Sequence, residues 1–146
     1  MKNYAFCPVS PRLADEKVAR FNATFTTLIV LLFLYTSNIF LMGFLVIDFF
    51  IRALDRPRYS PIAIISKRLV ETFSLAPQKI NAGPKIFAAR IGLVFSVAIA
   101  AMTIIGFSEA AIITASVLGL FSLLEAAFGF CVACKIYPFI YRWLDR

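Results

Sequence analysis

The chain has 146 residues, of which 61% are hydrophobic and 16% charged, and its mean hydropathy is +0.85. Soluble domains are about 45–50% apolar and about 25% charged, so this composition excludes a soluble globular enzyme, a disordered tail and a disulfide-stapled secreted mini-protein. The formal charge of +7 has to be weighed against membrane topology before nucleic acid is considered.

Residues 1–20 are polar and carry Lys2, Arg12, Lys17 and Arg20 where a signal peptide would place an apolar core. No cleavable signal is expected, and the first span is read as a retained helix. Ser10 suits an N-cap and Pro11 the first helical position, with Asp15 and Glu16 near the positive end of the helix dipole. A helix starting there is expected to run straight into the first span.

From Phe21 to Ile51 the chain is almost continuously apolar, too long for one span of about 20 residues. Ser37-Asn38 is a turn signal near the middle. The pattern predicts two short helices, over 21–35 and 39–54, joined by a minimal hairpin. One long tilted helix is the competing reading.

In the loop 55–85, Ser60-Pro61 opens a further helix, with Ile62, Ile65, Leu69 and Phe73 at 3–4 residue spacing and Lys67, Arg68 and Glu71 between them. This is an amphipathic helix, lying either on the membrane surface or packed back against the bundle. Ala76-Pro77 is expected to end it, and Asn81-Ala82-Gly83-Pro84 reads as a turn into the third span. The third span, over 86–106, and the fourth, over 110–130, are separated by Phe107-Ser108-Glu109 and are rich in small residues that let helices approach closely. The tail 135–146 interleaves Tyr137, Phe139, Tyr141 and Trp143 with Lys135, Arg142 and Arg146, the pattern of an interfacial anchor.

All 15 basic residues fall in the N-terminal segment, between Arg52 and Arg90, or in the tail, and the two short turns contain none. With four spans these three segments share one side, which the positive-inside rule makes the cytoplasm. The expected fold is therefore an all-α membrane protein, a single domain over 1–146. It has four transmembrane helices in two hairpins, both termini cytoplasmic, in a bacterial inner membrane. Attraction to anionic lipid headgroups accounts for the charge. Membrane lipids are the expected partners, and nucleic acid is not expected.

Cys131-Val132-Ala133-Cys134 is a C-x-x-C pair, Cys7 is the other thiol, and there is no histidine. All three thiols fall on the cytoplasmic side of this topology. A reducing compartment argues against a permanent disulfide and for a catalytic, sulfur-carrying or metal-binding pair. Residues at i and i+3 share a helix face, so the two sulfurs can meet. If the fourth span continues through Cys134, the helix dipole disfavours a thiolate. If Gly129 breaks the helix and a new one begins near Cys131, the dipole favours it, and Lys135 helps in either case. A structural zinc site wants four Cys/His ligands, so a soft ion such as Cu(I) on Cys131, Cys134 and Cys7 is the metal alternative. Simple packing of the cysteines is the other. Cofactor and metal stay open.

Ionisable residues inside spans are functional candidates by default. Asp48 and Glu125 lie about two turns from the cytoplasmic ends of their spans and Arg90 about one turn into its own, so all three should share one layer. Pairing of Arg90 with Glu125 or Asp48 is expected, either as a structural lock or as a proton relay. Glu109, at the external turn, is expected to be solvated.

Cys7-Pro8-Val9, Val18-Ala19-Arg20-Phe21-Asn22, the run Gly83 to Gly92 and the run Gly129 to Cys134 together resemble a bacterial family catalogued as domain of unknown function 4395. The resemblance spans nearly the whole chain. It implies a four-helix inner-membrane protein, sometimes accompanied by rhodanese-like or thioredoxin-like domains. It adds weight to sulfur or thiol chemistry and carries no catalytic assignment.

The leading expectation is a small membrane thiol protein in which Cys131 and Cys134 exchange disulfide or persulfide sulfur with a thioredoxin-like or rhodanese-like partner. Cys7 would serve as a resolving or third thiol, and Arg90 or Lys135 would favour the thiolate. The runner-up is a transporter for a soft metal or sulfur species, similar in size and paired thiols to mercury-uptake membrane proteins. The lack of thiols in the external half counts against it. The third is a non-enzymatic scaffold with inert cysteines. A second copy of the chain is a further candidate partner.

Overall fold

Short polar side chains set where each element starts and stops. The computed structural model describes residues 13–76, 78–129 and 132–144. Leu13–Asp15 forms strand β1, which pairs antiparallel with β2, Lys79–Asn81, in the register Leu13↔Asn81, Ala14↔Ile80, Asp15↔Lys79. Helix α1, Glu16–Thr36, then begins at an Asp15 cap whose side chain accepts from Lys17 N–H at 2.9 Å. This corrects the helix expected to run on from Ser10-Pro11. The backbone at 13–15 is extended because β2 takes up its hydrogen-bonding groups, and Glu16 N–H donates to the Gln78 carbonyl at 2.9 Å. Ser10 and Pro11 themselves lie outside the described residues.

Ser37 closes α1 in the left-handed region (φ 53°), and the Asn38 side chain opens α2, Ile39–Ala53, by accepting from Phe40 N–H at 3.0 Å. The apolar run is thus two helices rather than one long one. A 3-10 turn at Pro57–Tyr59 leads to α3, Pro61–Thr72, with Ser60 as N-cap and Pro61 at the first position, where no amide donor is needed. α3 ends at Phe73, before Ala76.

α3 packs against α1 and buries Ile62, Ala63, Ser66 and Val70, whereas Ile65 and Phe73 are 48% and 63% exposed. The packing of this helix against the bundle is therefore present. α4, Ala82–Ile105, takes Gly83-Pro84 into its first turn, where the sequence pattern suggested a separate turn. Proline is tolerated there because a first-turn amide has no intrahelical acceptor. Gly106 (φ 101°) turns the chain into α5, Ser108–Phe128. Gly129 (φ 66°) ends α5, and α6, Val132–Leu144, packs against α4.

α1, α4 and α5 are each long and apolar enough to cross a membrane, the hallmark of a multi-pass membrane protein. α1, α2, α4 and α5 form a ring of four: α1 touches α2 and α5, and α4 touches the same two helices from the other side. The interior is built largely from small or short side chains, including Ala23, Thr26, Ala89, Ser96, Ala111 and Ala115. Leu28, Leu31, Ile47, Val94 and Ile113 face outward and are more than half exposed. A water-soluble bundle would reverse this, whereas lipid-facing bundles pack through small residues and turn large apolar ones to the hydrocarbon.

Several of the buried hydroxyls bond within their own helices. Thr26 donates to Asn22 O at 2.9 Å, Thr27 to Ala23 O at 2.8 Å and Ser122 to Leu118 O at 2.9 Å. This satisfies each group without an interhelical partner.

Candidate functional site

The start of α1, the end of α2, the start of α4 and the end of α5 meet at one end of the bundle. The β1–β2 pairing joins the two starts, and contacts between Arg20 and Ala126–Ala127 join α1 to α5. This charged end holds nearly all of the ionisable side chains that the fold buries.

Asp48, one turn before the end of α2, is fully buried. Its Oδ1 accepts from Ser60 Oγ–H and from Ile62 N–H (3.3 Å), so the carboxylate sits on the positive N-terminus of α3. Its Oδ2 lies 2.6 Å from Arg52 Nη2. The Arg52 guanidinium stacks over the Phe49 ring, 4.5 Å from its centroid. Phe49 in turn fills the space beside Gly92, where an added Cβ would stand 2.5–2.8 Å from the ring. One carboxylate therefore ties α2 to α3, and one ring ties α2 to α4.

Glu125 on α5 pairs with Lys85 on α4. The expected Arg90 pairs are thus corrected: Asp48 takes Arg52 and Glu125 takes Lys85. Arg90 is exposed and forms no ion pair with a described residue. The reason is angular. Lys85 faces Glu125, and five residues on, at about 100° each, Arg90 is turned about 140° around α4. Neither Arg52 nor Ser60 stood out in the sequence. The signal for Arg52 was its i, i+4 spacing from Asp48. Ser60 was legible as a cap of α3 but carried nothing to link it with Asp48.

Arg20 donates from Nη2 to Ala127 O at 3.0 Å and to Ala126 O at 3.4 Å, and from Nε to Ala126 O at 3.4 Å, closing the last carbonyls of α5. Gly129 follows in a left-handed conformation that a side chain would strain, and a Cβ there would stand 3.2 Å from Glu16 Oε1. Of the two arrangements left open for the C-x-x-C, the helix break is present. α5 ends at Phe128 and Cys134 is the third residue of a new helix, α6, followed by the exposed Lys135. Cys131 and Cys7 lie outside the described residues. Among the described residues no group of three or more His, Cys, Asp or Glu is placed to hold a metal ion.

A cavity of about 1750 Å³ opens at this charged end between α1, α3, α4 and α5. Arg52, Lys85 and Glu125 line it, so the Lys85–Glu125 pair and the cation of the Asp48–Arg52 pair form part of its wall.

The sequence model of the family described as "Domain of unknown function (DUF4395)" matches residues 14–142. No curated protein and no solved structure matches the chain.

Proposed function

This chain belongs to the DUF4395 family, and we propose that it is a four-span inner-membrane protein whose C-x-x-C pair exchanges disulfide or persulfide sulfur with a soluble partner at the cytoplasmic face. The observation that carries this reading is the break at Gly129, after which α6 begins at Val132. Cys134 then belongs to the first turn of a helix, where the dipole favours a thiolate, and not to the C-terminus of α5, where it would oppose one. In the exchange, one thiolate of the pair attacks a sulfur of the partner's disulfide and expels the other partner sulfur as a thiolate. The second cysteine then attacks the mixed disulfide, so that the partner gains two electrons and the pair becomes oxidised.

The orientation rests on charge. Lys67, Lys79, Lys85 and Arg52 to Arg58 gather at the end of the bundle that also carries α6, while the turns at Ser37-Asn38 and Gly106-Phe107 lack Lys and Arg. α2, with 15 residues, reaches about 22 Å, and it spans with the help of a locally thinned bilayer. The exposed Ile136, Phe139, Ile140 and Trp143 of α6 recur at helical spacing and suit a helix lying at the headgroup level.

The test is labelling with a membrane-impermeant maleimide in inverted and right-side-out vesicles, combined with disulfide exchange against a thioredoxin-like protein. Labelling in inverted vesicles only, with exchange abolished by Cys131→Ser, is the expected result. Full exchange by Cys131→Ser, or thiols inert in both preparations, overturns the reading.

A further inference from the structure

We propose that the cavity at the charged end binds an anionic glycerolipid, with the acyl chain inward and the phosphate at the mouth. Three observations carry this. The cavity, at about 1750 Å³, exceeds the roughly 300–1000 Å³ of ordinary small-molecule sites and has room for a long chain.

Its wall also changes character with depth. Gly92, Phe95, Leu118 and Phe121 form an apolar inner part in which the Phe95 and Phe121 rings meet edge to face at 6.4 Å. From Lys85 to Phe95 along α4 is about 15 Å at 1.5 Å per residue, the reach of a long acyl chain. At the mouth stand Arg56, Arg58, Lys67 and Arg68, all exposed and none in an ion pair with a described residue. Six basic residues line the cavity against the four acidic residues Asp15, Asp55, Glu71 and Glu125, and with Arg52 held by Asp48 and Lys85 by Glu125, four cations stand against three carboxylates. Of the three, Asp15 accepts from the Lys17 and Gln78 amides. The electrostatics at the mouth therefore favour an anion, and clustered Lys/Arg at an acyl boundary is the chemistry that recognises a lipid phosphate.

The third observation lies between these two zones. Asn22 lines the cavity, is nine-tenths buried, and its Oδ1 has no hydrogen-bond partner among the described residues. Arg52, which also lines the cavity, has a buried Nε without an acceptor among the described residues. Buried polar groups are rarely left unpaired, so Asn22 Oδ1 calls for a donor such as a ligand hydroxyl, and Arg52 Nε for an acceptor such as an ester carbonyl. A glycerol backbone supplies both at the junction of chain and phosphate. The Thr26 and Ser122 hydroxyls beside it donate to their own helices and keep lone pairs free to accept.

The ligand can come from the bilayer as a two-chain phospholipid or arrive as a free single-chain lysolipid. Native mass spectrometry of the full chain, delipidated in dodecyl maltoside, distinguishes them. The probes are oleoyl-lysophosphatidylglycerol, oleoyl-lysophosphatidylcholine, dioleoyl-phosphatidylglycerol and inorganic phosphate. Lysophosphatidylglycerol should be retained one to one and at least about tenfold more tightly than lysophosphatidylcholine, and phosphate alone should not displace it. Equal retention of dioleoyl-phosphatidylglycerol points to the bilayer as the source, and its exclusion to the free lysolipid.

The exposed pair Arg56→Gln with Arg68→Gln should weaken the anionic probe about tenfold and leave the zwitterionic one unchanged. Asn22→Leu should weaken both. Equal retention of the two lysolipids, or unchanged binding in the Arg56→Gln/Arg68→Gln protein, overturns the proposal.

Discussion

Replacing Asp48 with alanine removes, in one step, the acceptor of Ser60 Oγ–H, the acceptor of Ile62 N–H and the counter-charge of Arg52. Asp48 is fully buried and the Arg52 side chain is 15% exposed, so solvent does little to replace the lost partner. Removing one member of a buried pair costs about 3–5 kcal/mol, because the other charge stays behind without compensation. Loss of the α3 cap bond adds about 1 kcal/mol, and the surviving Ser60-to-Ala63 bond and the Phe49 stack offset part of this. The expected destabilisation is about 4 kcal/mol.

Unfolding by sodium dodecyl sulfate from mixed micelles, followed by circular dichroism, reads this difference. The decisive comparison is the double variant Asp48→Ala/Arg52→Met, which has no orphaned charge. It should be more stable than Asp48→Ala by about 2 kcal/mol, a coupling of the size seen for residues in one ion-pair network. A loss below about 1 kcal/mol in Asp48→Ala, or a double variant as unstable as the sum of the singles, would refute the view that this carboxylate neutralises Arg52.

Gly92→Ala should cost about 1–3 kcal/mol in the same assay, since its Cβ would collide with the Phe49 ring at 2.5 Å, and Phe49→Leu in the same chain should restore most of it. Gly129→Ala should cost about 1–2 kcal/mol through its left-handed φ of 66° and, by favouring a continuous α5, should slow alkylation of Cys134 by iodoacetamide. Arg90→Gln should stay within about 0.5 kcal/mol of the parent because the side chain is exposed, whereas Lys85→Met, which strands Glu125, should be clearly less stable by dodecyl sulfate titration.

Local chemistry was readable at several of the short polar residues, prolines and glycines that interrupt an apolar run, although Gly83-Pro84 entered α4 instead of forming a turn. Ser37-Asn38, Ser60-Pro61 and Gly129 each satisfy or strain their own backbone, so their structural meaning travels with the residue. The start of α1 was misplaced because β1 depends on residues 79–81, more than sixty positions away, and no local pattern reports that pairing. Asp48 was legible as a candidate, since a carboxylate in an apolar stretch is costly wherever it lies. Its partners were not, because Ser60 reaches it only when α3 folds back onto α1.

The sequence by itself determined that this is a helical, membrane-suited chain, that its first apolar run breaks at Ser37-Asn38, and that Asp48 and Glu125 would lie inside the bundle. The composition and positions of apolar, polar and hinge residues are enough for that. Only the tertiary structure decided which cation meets which carboxylate, which face of α3 is covered, and that a large cavity with a basic mouth lies among the helices. The physical reason is that long, nearly uniform apolar helices such as α4 and α5 declare no inward face. Their rotation is set by how closely Gly92, Ala89, Ala115 and Ser122 let neighbours approach, and that rotation turned Arg90 outward and brought Lys85 to Glu125.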